Sequence, residues 1–336
     1  MSYKVQLSEQ DIFFDVEENE TILEAALRQG HSLPYGCRNG VCGSCKATII
    51  SGDITYSEGT PEGLSEQDIE QGYAFLCQAK ATADLSIKAR TVETAADIKI
   101  RQFPCRVSNC EKLNDDVMRL VLDLPKTERL KFLAGQYIDI LMQDGKRRSF
   151  SLANAPDQDQ RLELHIRHYD GGLFSEYAFK DLTEKTLLRI EGPLGQFTLH
   201  ESDRPIIMIA GGTGFAPVKS LIEYSLKNSD KRSIQLYWGA RTVADLYLND
   251  MAEQWSKNNE HIQYKPVLSE VDKLNGWAGK TGFVHDAVLK DHADLSAYDI
   301  YACGPPPMIN AVVESFPANG LNRDRLFSDS FEFAAN

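Results

Sequence analysis

The sequence is short of positive charge, of long apolar runs and of paired cysteines, and each shortage excludes a class of protein. Its 336 residues carry 36 Lys and Arg against 49 Asp and Glu, a formal net charge of −13, which argues against nucleic acid or an anionic membrane as the main partner. No stretch approaches the ~18 consecutive apolar residues of a membrane span, and the beginning of the chain has no apolar run of signal-peptide length. We therefore expect a cytoplasmic protein without a membrane anchor.

Cysteine is present in an odd number, seven residues, which indicates a reducing compartment and not a disulfide framework. Cys37, Cys42 and Cys45 stand as C-x4-C-x2-C, and Cys77 follows further along. This is the spacing of a plant-type [2Fe-2S] site. Zinc is the alternative, but zinc sites use two C-x2-C pairs or include histidine, and this loop has neither. The sequence therefore predicts that these four cysteines bind a [2Fe-2S] cluster.

Short regular elements surround the cysteine motif and predict a small α+β domain. Two alternating segments near the start indicate a β-hairpin, and Thr21 with Glu24 forms a capping box that opens a helix ending at Gly30. Ser65 opens a second short helix, and strand-like segments span 46–50 and 84–89. The order predicts a ubiquitin-like β-grasp fold, which we expect over residues 1–92, with a linker at 93–99.

Two further domains follow, with different strand patterns. Residues 100–200 contain short alternating segments between Pro, Gly and Asp turns, which predicts an antiparallel β-barrel. From residue 201 to residue 336 strands alternate with helices, the pattern of a parallel doubly wound sheet. In this last domain we expect strands at 206–210, 234–237, 264–268 and 299–302, and helices after Gly214, from Ala244 and from about Phe283.

A flavin-binding motif is predicted at the end of one barrel strand. Arg148, Ser149, Phe150 and Ser151 place a cation, a ring and two hydroxyls within four residues, groups that suit a pyrophosphate, a flavin ring and its polar edge. Alone, the motif is equally consistent with an ordinary charged strand end. Two later segments support the flavin interpretation, because one ends a strand and the other puts glycine before a helix, as at a phosphate site. Their predicted contacts are His165, Ile166, Arg167, Gly172, Leu173 and Ser175.

The loop from Ala210 to Pro217 lies between a predicted strand and a predicted helix, the setting of a dinucleotide-binding loop. It lacks strict G-x-G-x-x-G spacing, so it is either a variant phosphate loop or a tight structural turn; we favour the first. The predicted contacts in this loop are Gly211, Gly212, Thr213, Gly214 and Pro217.

Two other strand ends are expected at the same carboxyl edge of the sheet, where ligands bind. One carries Gly239 and Arg241; the other carries Cys303, Gly304 and Pro305. Free cysteine is usually a small core residue, and we interpret Cys105 and Cys110 in this way. For Cys303 the position at a strand end favours a role facing the cofactor.

The whole chain resembles a known family. Residues 1–92 resemble plant-type ferredoxins, and residues 100–336 resemble the ferredoxin–NADP reductase superfamily. The domain order is similar to that of the reductase components of bacterial oxygenases, such as benzoate dioxygenase, phenol hydroxylase, and toluene and methane monooxygenases, and of CDP-6-deoxy-glucoseen reductase. The resemblance implies a multidomain iron–sulfur flavoprotein that takes electrons from NADH or NADPH.

The resemblance also implies roles for single residues. Arg148 would bind the FAD pyrophosphate, Phe150 would lie against the flavin in place of the family's usual tyrosine, and Ser151 would lie near flavin N5. The 211–217 loop would bind the dinucleotide phosphates, Arg241 the adenosine end and Cys303 the nicotinamide. A terminal aromatic, Phe331 or Phe333, would cover the flavin, with strand packing as the alternative. Ser151, Cys303 and Phe333 are the predicted catalytic residues.

These predictions describe a reductase that passes electrons from NADH through FAD and [2Fe-2S] to a partner protein, an oxygenase or a deoxysugar dehydratase. NADH is favoured because Asp245 can accept a hydrogen bond from a ribose 2′-hydroxyl and would repel a 2′-phosphate. Arg241 argues the other way, so NADPH stays the alternative. Residues 1–92 hold 7 basic and 14 acidic residues, which indicates either steering toward a basic acceptor or simple solubility. The alternatives are an NAD(P)H:flavin reductase with an accessory cluster and a non-enzymatic electron carrier.

Overall fold

The computed structural model describes residues 2–31, 33–36, 38, 40, 43–89, 98–270 and 276–331. The chain divides into two compact units, Met1–Asp97 and Ile98–Asn336, and each is described by itself. Within the ranges described, no helix is both long enough and apolar enough to cross a membrane.

The first unit is a β-grasp domain, as predicted. Its main sheet has the strand order β2-β1-β7-β3-β5, with β1 and β7 parallel, and β4 pairs with β6 in a second small sheet. The Thr21 and Ser65 capping boxes open the two helices, because each satisfies N–H groups that a helix start leaves unpaired. The elements are β1 Ser2–Leu7, β2 Ile12–Glu17, α1 Ile22–Arg28, β3 Lys46–Ser51, β4 Ile54–Tyr56, α2 Glu66–Glu70, β5 Tyr73–Phe75, β6 Ala79–Ala81 and β7 Leu85–Lys88.

The second unit begins with a six-stranded antiparallel barrel, which confirms the predicted barrel. The strand order is β11-β10-β13-β8-β9-β12, and a bridge between Leu152 and Leu164 connects the two ends of the sheet. Alternating apolar residues point into a single core, which α3 covers. The elements are β8 Arg101–Lys112, β9 Val117–Asp123, β10 Tyr137–Leu141, β11 Arg147–Ser151, β12 Arg161–Arg167, α3 Leu173–Lys180 and β13 Leu187–Leu194.

A six-stranded parallel sheet follows in the same unit, in the order β17-β16-β15-β14-β18-β19. Apolar clusters cover both faces, which confirms a doubly wound sheet. Since β14 lies between β15 and β18, the order reverses beside β14, where ligands bind in such folds. The elements are β14 Ile206–Gly211, α4 Phe215–Lys227, β15 Ile234–Ala240, α5 Asn249–Asn258, β16 Ile262–Leu268, β17 Lys280–Thr281, α6 Val284–Asp291, β18 Asp299–Gly304, α7 Pro306–Ser315 and β19 Leu326–Ser330.

One predicted helix start is wrong. The helix expected from Ala244 begins at Asn249, and residues 243–245 form a 3-10 turn instead. The cause is a capping box in which the Asp245 carboxylate accepts hydrogen bonds from the N–H and the hydroxyl of Thr242, at 2.9 and 3.0 Å. These two bonds close a single turn, which ends before α5 begins at Asn249. Of the two barrel cysteines, Cys105 is buried as predicted, whereas Cys110 is only partly buried against the core.

Candidate functional site

The structure brings two of the four predicted cluster ligands together. Cys45 immediately precedes β3, and Cys77 follows β5; the pairing of these strands matches Lys46 with Phe75 and so puts both cysteines at one end. Both residues are buried, with their Sγ atoms 3.1 Å apart. That distance exceeds the ~2.05 Å of a disulfide and fits two converging ligands of one centre. Cys37 and Cys42 lie outside the described residues.

The described parts of the cysteine loop have the backbone that such a site requires. Gly40 and Gly43 have φ angles of 80° and 73°, which glycine adopts without strain. A Cβ at Gly40 would also lie 2.8 Å from the Cβ of Pro61. Across the site, the Leu76 N–H donates to the Cys45 carbonyl at 3.2 Å, and the Gln78 side chain donates to the Arg38 carbonyl at 2.8 Å. These bonds hold the loop against the segment that carries Cys77.

The predicted flavin motif lies on β11, next to β10. The Ser149 hydroxyl donates to the Asp139 carboxylate at 2.6 Å, so the fold already uses that group. Phe150 packs against Phe174 of α3, with ring centroids 5.2 Å apart, and Ser151 is buried. The strand therefore holds the ring and the second serine in place.

Arg148 provides the test of whether these residues fit FAD. One guanidinium nitrogen, Nη1, donates to the Arg147 carbonyl at 2.8 Å, while Nη2 is buried with no hydrogen-bond partner in the described structure. An unpaired buried polar group costs ~1–3 kcal/mol, more when it is charged, and a phosphate oxygen would satisfy it. The donor set thus fits the pyrophosphate of FAD.

The second predicted flavin element is divided between core and surface. The His165 side chain is buried, with Nδ1 3.0 Å from the Tyr247 hydroxyl and Nε2 2.9 Å from a Glu163 carboxylate oxygen. Ile166 lies in the barrel core. Of these three residues, Arg167 lines the cavity described below, while the side chains of His165 and Ile166 lie inside the protein, and their contact with FAD stays a prediction.

The glycine and serine that open α3 have mainly local roles. Gly172 is the N-cap of the helix, and the Ser175 hydroxyl accepts from the Tyr169 N–H at 3.2 Å and lies 3.1 Å from the Gly172 carbonyl. Leu173 is exposed. The helix start is therefore stabilised internally, and its predicted contact with FAD remains a prediction.

Buried charged side chains connect the barrel to the domain that contains the parallel sheet. Burial alone would raise the pKa of Glu163, but its hydrogen bond with His165 and the charge of Lys219 lower it to about 2. Burial lowers the pKa of His165, against the raising effect of Glu163, which favours the neutral imidazole. The Lys219 ammonium on α4 donates to the Ala153 carbonyl at 2.9 Å. These bonds fix α4, and with it the glycine loop at its start, against the barrel.

A cavity of about 590 Å³ opens at the carboxyl edge of the parallel sheet, beside β14, where the strand order reverses. It contains most of the predicted dinucleotide contacts, although they come from strands that are far apart in sequence. Its wall includes Arg167, Gly211, Gly212, Thr213, Gly239, Arg241, Asp245, Pro305, Met308 and Phe331.

The glycines of the 210–217 loop are required by close packing. A Cβ at Gly211 would lie 2.7 Å from the Met308 sulfur, and a Cβ at Gly214 would lie 2.1 Å from the Cys303 carbonyl oxygen. Gly212, with φ 53°, faces Arg167 instead. Gly214 and Pro217 lie behind the cavity wall. The loop is thus a tight turn in which Gly211, Gly212 and Thr213 line the cavity, and its role as a phosphate loop stays a prediction.

Cys303 does not face the cavity. Its side chain is fully buried in the core of the parallel sheet, and burial raises the pKa of its thiol well above the usual value. Cys303 lies within β18, on the core face that it shares with Tyr301, and the cavity is reached instead by Pro305 and Met308, which lie beyond the end of the strand. The structure therefore corrects the expectation that the Cys303 side chain faces the cofactor.

Of the two C-terminal aromatics, Phe331 lines the cavity, and its N–H donates to the Gly304 carbonyl at 2.9 Å. Phe333 lies outside the described residues. Asp245 also lines the cavity, but one of its carboxylate oxygens is engaged by Thr242.

Sequence reasoning missed several wall residues, including Asp116, Tyr247 and Phe283. Phe283 is 64% exposed and stacks on His285, although large exposed aromatics are uncommon. No local pattern marks Asp116, which belongs to a polar barrel turn. Only the fold brings it beside the sheet edge.

Models of three families match the chain, one for each predicted domain. The 2Fe-2S iron–sulfur cluster binding domain matches residues 5–82, the oxidoreductase FAD-binding domain matches residues 104–199, and the oxidoreductase NAD-binding domain matches residues 208–314. The three matches agree with the predicted cofactors, [2Fe-2S], FAD and NAD.

Similar proteins extend over nearly the whole chain. The CDP-6-deoxy-L-threo-D-glycero-4-hexulose-3-dehydrase reductase of Yersinia pestis is 41% identical over 98% of this chain and 99% of its own length. The phenol hydroxylase P5 protein of Acinetobacter pittii is 34% identical over 100% and 96%. Among solved structures, the Amycolatopsis cytochrome P450 reductase GcoB has a TM-score of 0.81 with 31% identity, covering 98% of both chains.

Proposed function

We propose a specific electron acceptor for this chain, which belongs to the family of iron–sulfur flavoprotein reductases that join a ferredoxin domain to FAD-binding and NAD-binding domains. As a member of this family, the chain is an oxidoreductase that carries electrons from NAD(P)H through FAD to a [2Fe-2S] cluster. The proposed acceptor is an iron–sulfur dehydratase that acts on a CDP-activated 6-deoxyhexulose.

One observation carries this choice of acceptor. Identity over the full chain is 41% with the dehydrase reductase of Yersinia pestis, against 34% with the phenol hydroxylase component and 33% with the terephthalate dioxygenase component. The difference of seven to eight percentage points over nearly the full chain favours the dehydratase as acceptor. An oxygenase is the second candidate, supported by the several oxygenase reductases that match over nearly the full length.

The residues of the chain have distinct proposed tasks. When bound, FAD converts the two electrons of a hydride into single electrons that a [2Fe-2S] cluster can carry. Arg148 holds its pyrophosphate through the unpaired Nη2, Phe150 lies against its ring, and Ser151 orients its polar edge.

The cavity residues hold and orient the dinucleotide. Gly211 to Thr213 allow close approach of its phosphates, and Arg241 binds the adenosine half. Phe331, which lines the cavity, would cover the flavin. Asp245 favours NADH, because a carboxylate repels a 2′-phosphate.

A cytoplasmic location is part of the proposal. Cys105, Cys110 and Cys303 are free thiols, and free thiols together with an iron–sulfur centre suit a reducing compartment.

A reconstituted assay tests the acceptor. Purified protein, NADH and the Yersinia CDP-6-deoxy-L-threo-D-glycero-4-hexulose-3-dehydrase are combined without oxygen, and NADH oxidation is followed together with formation of the 3-deoxy product. We expect turnover that requires both proteins and saturates with the dehydrase. Coupling to a phenol hydroxylase oxygenase at a higher kcat/KM than to the dehydrase would overturn the choice.

A further inference from the structure

Asp116 is held at the mouth of the dinucleotide cavity by the turn that joins β8 and β9. The side chain of Asn114 accepts hydrogen bonds from the N–H groups of Asp116 and Val117, at 3.0 and 2.7 Å. The carbonyl of Asp116 accepts from the His168 N–H at 2.7 Å. The barrel thus fixes the backbone of this residue from two sides.

The same turn is bonded to the nucleotide-binding part of the unit. The Asn114 amide donates to the carbonyl of Ala244 at 2.9 Å, in the 3-10 turn that follows β15. The backbone of Asp116 therefore cannot withdraw from the sheet edge without breaking bonds on both sides.

The Asp116 carboxylate contacts both arginines of the cavity wall. Its Oδ2 lies 3.4 Å from Nη2 of Arg167 and 3.4 Å from Nη2 of Arg241. Arg241 also lies 3.5 Å from Oδ1 of Asp245. All four side chains line the cavity, so two positive and two negative charges meet there with no net charge.

This balance bears on the two nicotinamide dinucleotides differently. NADPH carries a 2′-phosphate that NADH lacks, and a phosphate monoester has a charge of about −1.5 to −2 at neutral pH. Arginine is the preferred partner of such a group. Asp116 pairs with both guanidinium groups and, together with Asp245, balances their charge, and its carboxylate would repel the added phosphate.

We propose that Asp116, supplied by the barrel, is a specificity-determining residue that makes the cavity select NADH over NADPH. The inference rests on the proposed function, since it concerns the dinucleotide of that same site. Asp116 would then be the second carboxylate, besides Asp245, that disfavours NADPH. One oxygen of Asp245 accepts the hydrogen bonds that cap its own turn, whereas the Asp116 carboxylate pairs with the two arginines.

The test compares kcat/KM for NADPH and NADH, with ferricyanide as acceptor, in wild type and three variants. Asp116→Asn should raise the NADPH to NADH ratio by about tenfold, equivalent to ~1.4 kcal/mol. Asp115→Asn makes the same charge change at the exposed neighbouring residue and should leave the ratio within about twofold. Asp116→Glu keeps the charge and should keep the preference for NADH.

Binding of 2′,5′-ADP and of 5′-AMP, measured by calorimetry, tests the same idea without turnover, so a variant with reduced activity is still informative. Asp116→Asn should tighten 2′,5′-ADP and change 5′-AMP little. An unchanged ratio in both experiments, or an equal effect of Asp115→Asn, would overturn the role of Asp116. Failure of wild type to oxidise either dinucleotide would instead overturn the proposed function.

Discussion

The cluster site and the dinucleotide cavity are built in opposite ways. Three of the four predicted cluster ligands lie within nine residues of one loop, and the fourth, Cys77, is brought to Cys45 by the pairing of two short strands. The cavity instead draws on a barrel turn, the ends of β12, β14, β15 and β18, and the residue that follows β19. A site contained in a motif can be recognised without a fold, whereas a site assembled from strand ends depends on correct packing everywhere around it.

The largest expected effect is on the [2Fe-2S] site. Cys77→Ser should remove the visible absorption of the cluster and its bound iron, and should lower cytochrome c reduction at least ~100-fold, because cluster ligands must be thiolates. Ferricyanide reduction through the flavin should persist. Iron content and absorption spectra are the measurements. Cys110→Ser, on the barrel surface, is the control and should change neither; retention of a normal cluster in the Cys77 variant would show that the ligand set is wrong.

At the dinucleotide cavity, the largest effect should come from a substitution that disturbs backbone packing. Gly214→Ala places a Cβ 2.1 Å from the Cys303 carbonyl oxygen, a contact with backbone that cannot relax cheaply, so we expect a loss of about 3–4 kcal/mol in the free energy of unfolding. A Cβ at Gly211 would meet side-chain atoms of Met308 and Pro305 at 2.7 and 2.8 Å and no backbone atom, so Gly211→Ala should cost less. Urea denaturation ranks the two variants. Equal stability of the Gly214 variant and wild type would contradict the close approach of the 210–217 loop to the end of β18.

The buried charges between barrel and sheet predict a pH dependence. The pKa of Glu163 is lowered to about 2 from an ordinary 4.5, so its contribution to stability is fully present above pH ~4.5 and is lost as pH falls toward 2. By linkage the contribution is up to ~3 kcal/mol. Glu163→Gln should lose most of it at pH 7 and should show a flatter stability profile between pH 5 and pH 2.5. If the stability of the Glu163→Gln variant fell with pH in parallel with that of wild type, Glu163 would not be the cause of the pH dependence.

The smallest expected effect concerns FAD. Arg148→Gln removes the guanidinium whose Nη2 lacks a partner and should weaken FAD binding about tenfold, or ~1.4 kcal/mol, as measured by fluorescence of released flavin on dilution. Arg147→Gln removes the neighbouring cation, which pairs with Glu191, and should have less than a twofold effect. Equal release of FAD by both variants would show that positive charge in this region, and not the unpaired Nη2 of Arg148 in particular, is responsible for FAD binding.

Local signals in the sequence located some parts of these sites correctly and misjudged others. Capping boxes at Thr21 and Ser65 and the strand-to-helix change around Gly211 were sufficient to predict their elements, because each depends on neighbouring residues. The Ala244 helix start was misplaced because a second capping box closed a separate turn. Cys303 was expected at the cofactor, but the alternation of the strand directs its side chain into the core.

The sequence signals for the three cofactors, [2Fe-2S], FAD and a nicotinamide dinucleotide, are local, because each centres on a short segment with a recognisable spacing or setting along the chain. The charge balance of the cavity is not marked by any such segment. Asp116, Arg167 and Arg241 belong to three separate elements, and only the packing of the barrel turn against the sheet edge brings their charges within contact distance. Coulomb interactions depend on distance in space and not along the chain, so this charge balance is a property of the fold.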